Sequence, residues 1–132
     1  MSQAPYRSPV EVLLAEDDPH DVELTLHALH GAKLRNHVHV VRDGAEALDF
    51  LQQHTPDLIL LDLNLPKVDG RDLLKQIRGD ERLRHIPVIV VTSSAAEEDF
   101  ADAYVMKPIA PAVFLKAVNA IGQFWLEIVR LG

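Results

Sequence analysis

Four short apolar runs in this chain each end on a residue that can do chemistry. Val10 to Ala15 is followed by Glu16-Asp17-Asp18, and Leu58 to Leu61 is followed by Asp62. Pro87 to Val91 ends on the hydroxyl of Thr92, and Tyr104-Val105-Met106 ends on Lys107-Pro108. Like charges gathered in one crevice cannot all ionise cheaply unless a cation neutralises them. For carboxylates the natural cation is Mg²⁺, which takes hard oxygen ligands and is held by one or two acids together with water and phosphate. Such a site suits an aspartyl nucleophile: a carboxylate attacks phosphorus while a metal and a nearby ammonium stabilise the transferred oxygens. Asp62 is the candidate nucleophile, Glu16 and Asp17 the candidate metal ligands, Lys107 the ammonium and Thr92 the hydroxyl donor. Taken singly each has an ordinary alternative, since acids at strand ends cap helices and a lysine after a strand is commonly solvated. The ordered set is the signal.

The elements that must bring these residues together read as strand and helix in alternation. Leu58 to Leu61 is uniformly apolar, as expected of a strand covered on both faces. Val10 to Ala15, His37 to Arg42, Pro87 to Thr92 and Tyr104 to Met106 supply the other strands. Between them, Asp18-Pro19 opens a helix carrying Val22, Leu26 and Leu29, with Gly31 as its stop. Ala45 to Gln53 carries Ala47, Leu48 and Leu51 on one face, and a helix after Asp69-Gly70 carries Leu73, Leu74 and Ile77. Ser94 to Ala103 is short but helical in composition, and a last helix is expected from Pro111 to Leu131, about 30 Å long at 1.5 Å per residue. This order predicts an α/β fold with a parallel sheet and right-handed crossovers. In such sheets ligands bind outside the carboxyl ends of the strands. One domain spanning 10–132 is expected, preceded by a loose arm over 1–9.

Composition narrows the function. The 132 residues carry a formal net charge of −7, which argues against non-specific nucleic-acid binding. No apolar run approaches the ~20 residues needed to span a bilayer, and no secretory signal opens the chain. The absence of cysteine removes disulfides and thiol chemistry and is compatible with a reducing cytoplasm. Seven histidines are scattered, with His27 and His30 one turn apart but no metal-binding spacing along one helix, so no zinc site is expected.

The sequence resembles the receiver domain of two-component response regulators. The resemblance rests on Val12 through Asp18, Leu58 through Gly70, Pro87 through Thr92, and Lys107-Pro108, and it covers the chain from about Val10 to the last helix. It implies a doubly wound, flavodoxin-like sheet of order 2-1-3-4-5. It implies that Asp62 accepts phosphate, that Asp17 and, through water, Glu16 hold Mg²⁺ with Asp62, and that the backbone carbonyl of Asn64 completes the metal site. Thr92 and Lys107 would contact the phosphoryl group, and Thr92 and Tyr104 would act as the switch pair. A histidine kinase is the implied donor and the cytoplasm the implied location. The Leu63 to Lys67 stretch and the Phe124-Trp125-Leu126-Glu127 ending resemble the small regulators paired with bacterial and cyanobacterial phytochromes, which would make a bacteriophytochrome the kinase.

Two features depart from the family pattern. The link from Thr92 to Tyr104 is short for a parallel crossover, which needs roughly a dozen residues or more. A stunted fourth helix is expected, or an exchange of the last strand and helix with a second chain. The stretch 122–131 is apolar nearly all round, wider than the single stripe a surface helix needs, so a homodimer through Phe124, Trp125, Ile128 and Leu131 is expected. No effector region follows Leu131, so the expected form is a stand-alone receiver that catalyses only its own phosphorylation and dephosphorylation. A phosphate-independent binding module is the main alternative. An aspartyl-phosphate hydrolase would carry a second Asp two residues after the nucleophile, where this chain has Asn64.

Overall fold

The computed structural model describes residues 9–31, 35–93 and 101–124. A parallel sheet of five strands forms the centre: β1 (Val10–Ala15), β2 (Asn36–Val41), β3 (Leu58–Leu61), β4 (Val88–Thr92) and β5 (Ala103–Met106). Their order is β2-β1-β3-β4-β5, so β1 and β3 lie side by side. The register aligns Ala15 with Leu61 and Thr92 with Met106. The residues that follow β1, β3 and β5 therefore emerge at one edge.

Alternation along the strands divides the core in two. Leu13, Ala15, Ile59, Leu61, Val88 and Val90 point to one face, where α2 (Gly44–Gln53) and α3 (Gly70–Gly79) cover them with Ala47, Leu51, Leu73, Leu74 and Ile77. Val12, Leu14, Leu58, Leu60, Ile89 and Val91 point to the other, under Val22, Ala28 and Leu29 of α1 (Pro19–His30) and Phe114 and Val118 of α4 (Pro111–Phe124). Both faces of β3 and β4 are covered, which is why these strands read as unbroken apolar runs. Asp18 caps α1 by accepting from the N–H groups of His20 and Asp21, and Asp43 caps α2 through Glu46 N–H.

Two glycines hold the loop after β3 against the sheet. A Cβ on Gly70 would lie 2.5 Å from the carbonyl oxygen of Asp62, and one on Gly44 would lie 2.2 Å from that of Val68. Both approaches need a residue without a side chain.

The last crossover differs from expectation at its end. Ala101 and Asp102 are not helical and Ala103 already belongs to β5, so 101–103 are not part of the expected helix; residues 94–100 lie outside the described residues. The return is fixed instead by Asp102. Its N–H donates to Val88 O at 2.8 Å, and its Oδ2 accepts from Val88 N–H and from Arg78 Nη2, each at 2.8 Å. Arg78 also donates to the carbonyls of Arg84 and Ile86. β5 pairs with β4 in parallel. We expect Asp102→Ala to lower stability by about 1–2 kcal/mol, the scale of losing charge-assisted hydrogen bonds. Urea midpoints of the two proteins measure this, and equal midpoints would contradict the anchoring role.

The predicted arm is represented only by Pro9, since residues 1–8 lie outside the described residues. Trp125, Ile128 and Leu131 also lie outside them, and Phe124 is the last residue of α4, its side chain outside the description. Among the described residues, no helix is long and apolar enough to cross a membrane.

Candidate functional site

Asp62 sits one residue beyond β3, its N–H bonded to Ala15 O at 3.0 Å, so the neighbouring strand fixes where its carboxylate emerges. Oδ1 accepts from Asn64 N–H at 3.0 Å, and Oδ2 lies 2.9 Å from Lys107 Nζ. Lys107 leaves β5 with its own N–H bonded to Thr92 O at 3.0 Å. The same ammonium lies 2.9 Å from Glu16 Oε1 and 2.8 Å from Asp21 Oδ2. One cation thus touches three acids drawn from the ends of β1 and β3 and the first turn of α1.

Glu16, Asp62 and Thr92 are buried, whereas Asp17 is exposed. Oxygens of Glu16, Asp17 and Asp62 come within 4.8 Å of one another. Three carboxylates at that spacing, two of them shielded from solvent, are a hard-oxygen set that fits a small divalent cation. Thr92 closes the fourth side, its Oγ1 3.5 Å from the side-chain amide nitrogen of Asn64.

The charges are strongly interdependent. Burial pushes the Glu16 carboxyl up to about 7, and the nearby Asp62 charge adds to that rise; Lys107 and the Asp18 N–H pull the other way. Burial alone would lower the Lys107 ammonium, but hydrogen bonds to Asp21, Asp62 and Glu16 outweigh it and raise it above its ordinary value.

A consequence for stability follows. Between about pH 4.5 and about 7 the folded chain keeps a proton on Glu16 that the unfolded chain has released, so stability falls as pH rises through that window. Glu16→Gln should flatten this slope in the presence of a chelator. Denaturation midpoints at several pH values across the window measure it; the same slope in both proteins would contradict the raised carboxyl.

The expected residues Glu16, Asp17, Asp62, Thr92 and Lys107 all meet at this edge. Asn64 lies at the same edge, its N–H donating to Asp62 Oδ1 and its side-chain amide nitrogen 3.5 Å from Thr92 Oγ1. Tyr104 lies on β5 beside Val90 with its ring partly exposed, two strand positions from Thr92's partner Met106. Sequence reading missed Asp21. Its signal was available in principle: it falls in the first turn of α1, five residues after Glu16, where the helix start faces the same edge.

Comparison with known proteins gives the family. The model of the response regulator receiver domain matches residues 12–119. Response regulator Rcp1 of Synechocystis is 38% identical over 137 residues, covering 93% of each chain. The structure of the Mn²⁺-bound form of Rcp1 aligns at a TM-score of 0.74, covering 92% of this chain and 97% of that one at 38% identity. The bacteriophytochrome response regulator RtBRR aligns at 0.79 and 45% identity, covering 89% and 81%. The phosphorylated cyanobacterial phytochrome response regulator RcpA aligns at 0.74 and 37% identity, covering 90% and 95%.

Proposed function

Because this chain belongs to the response regulator receiver domain family of two-component signalling, we propose that Asp62 takes a phosphoryl group from the phosphohistidine of a histidine kinase. The observation that carries this reading is the Lys107 ammonium held 2.9 Å from an Asp62 oxygen at the open edge of the sheet. An Asp62 oxygen forms the new bond to phosphorus as the bond from phosphorus to the histidine nitrogen breaks, and that nitrogen leaves with the electron pair. Asn64 N–H keeps the carboxylate aimed. Lys107 and the Thr92 hydroxyl then face the added oxygens, which draw the ammonium away from Glu16 and Asp21.

Glu16, Asp17 and Asp62 would hold a divalent cation, and Mg²⁺ is our assignment; when bound, it neutralises the acids and the phosphoryl oxygens. The relatives that carry Mn²⁺ and a phosphoryl group support this reading. A phosphorylated state can signal only through contacts that differ from those of the resting state. Thr92 and Tyr104 are the proposed movers. The match to phytochrome-associated regulators makes a bacteriophytochrome the proposed kinase, with both proteins in the cytoplasm. A homodimer through Phe124, Trp125, Ile128 and Leu131 remains part of the proposal on the strength of their apolar sequence. The test is intact mass after incubation with acetyl phosphate, with Mg²⁺ or with chelator. One Mg²⁺-dependent phosphoryl adduct is expected; an unmodified, folded protein in both would favour a phosphate-independent module.

A further inference from the structure

Far from the acidic edge, at the start of β1 and β2, the inward alternation of both strands breaks. On the face covered by α2, β1 presents Glu11, Leu13 and Ala15, and β2 presents His37, His39 and Val41. The positions nearest the sheet margin, where apolar residues would extend the core, are a carboxylate and two imidazoles. Glu11 pairs with His37 in the register and Leu13 with His39. His37 Nδ1 lies 3.2 Å and His39 Nε2 2.8 Å from the same oxygen, Glu11 Oε1. The two rings are 4.5 Å apart, and His39 packs on Phe50 of α2 at 5.1 Å, which limits its rotation.

We infer that Glu11, His37 and His39 form a binding site for a divalent transition-metal ion of the Zn²⁺ class. One donor atom from each residue lies within 4.8 Å of the other two. Ligands about 2.0–2.1 Å from a tetrahedral ion sit roughly 3.3 Å from one another, so only small rotations are needed. Two imidazoles and one carboxylate select Zn²⁺, Ni²⁺ or Cu²⁺ over Mg²⁺, which prefers all-oxygen surroundings. The His39 and His37 hydrogen bonds keep Glu11 below its ordinary carboxyl range, so it is anionic at neutral pH. On metal binding, the proton on the ring nitrogen that faces Glu11 moves to the other ring nitrogen, or to water if the imidazole is charged. Water fills the remaining positions, since His37 and Glu11 are exposed toward solvent. The ion would tie the edge strand β2 to β1. Glu11 and Glu16 are five positions apart, about 16 Å of parallel strand, so this site is distinct from the acidic one.

The test is Zn²⁺ titration by calorimetry on the tag-free full chain in excess Mg²⁺, added to occupy the acidic edge, with folding of each variant checked by circular dichroism. One equivalent should bind, and His39→Ala and Glu11→Gln should each weaken it by at least about tenfold, the lower end of the range seen even for outer-shell changes. Asp17→Asn and His27→Ala, which alter the acidic edge and the helix α1 histidine pair, should leave it unchanged. No Zn²⁺ uptake would overturn the inference and leave an ordinary Glu–His ion pair. So would binding that survives both His39→Ala and Glu11→Gln, or that disappears with Asp17→Asn.

Discussion

Asp62→Asn is expected to abolish phosphoryl incorporation entirely while leaving the fold in place. An amide has the shape of the carboxylate, and the anchoring bond from Asp62 N–H to Ala15 O does not depend on the side chain. The Asn oxygen can still accept from Asn64 N–H, as Oδ1 does now. Its NH₂ group, however, would face the Lys107 ammonium, donor against donor, where a carboxylate oxygen lies at 2.9 Å. The amide also lacks the anionic oxygen that attacks phosphorus. Intact mass after acetyl phosphate and Mg²⁺ measures the outcome. Substitution by another acid of the cluster is not expected, because Glu16 is buried and holds a proton to about pH 7, and Asp17 has no such ammonium contact among the described residues. An adduct of equal yield in the variant would remove Asp62 from the role.

Lys107→Ala should separate two jobs that one ammonium does. In the resting chain it compensates Glu16, Asp21 and Asp62, so without it and without divalent cation the like charges face one another and the melting temperature should fall. Adding Mg²⁺ should recover much of that loss, because the cation supplies the missing charge. The rate of phosphorylation should not recover. A positioned charge on developing oxygens contributes on the order of a hundredfold, and losing it should slow incorporation by roughly that factor without eliminating it. The downstream response should fail even at matched occupancy, since the ammonium can no longer trade Asp21 and Glu16 for the phosphoryl group. Thermal melts with and without Mg²⁺, beside a time course of adduct formation, distinguish the jobs. A normal rate with a lowered melting temperature would make Lys107 structural only.

Much of this arrangement could be read from residue types alone because parallel strands buried on both faces leave so clear a trace. Ile59, Leu60 and Leu61 have no exposed surface at all, and the acid after them has to emerge where the sheet ends. Asp18 announces a helix start by local chemistry and does cap α1, and in the structure Asp43 and Asp69 cap α2 and α3 in the same way. What could not be read depends on register and on three-dimensional neighbours. Asp21 looks like one more acid in a first turn until the end of β5 brings Lys107 beside it, 86 positions away by residue number. Asp102 looks helical in composition, yet its bonds to Val88 and Arg78 make it the close of the crossover. His37 and His39 show no helical metal spacing, because their partner Glu11 comes from the adjacent strand.

The most direct test of the central claim is chemical trapping of the acyl phosphate. Wild-type protein is incubated with acetyl phosphate and Mg²⁺, reduced with borohydride and digested, and the peptides are mapped by mass. Conversion of Asp62 to homoserine, and of no other acid, is the predicted result. Reduction at Asp17 or Asp57 with Asp62 intact would contradict the account.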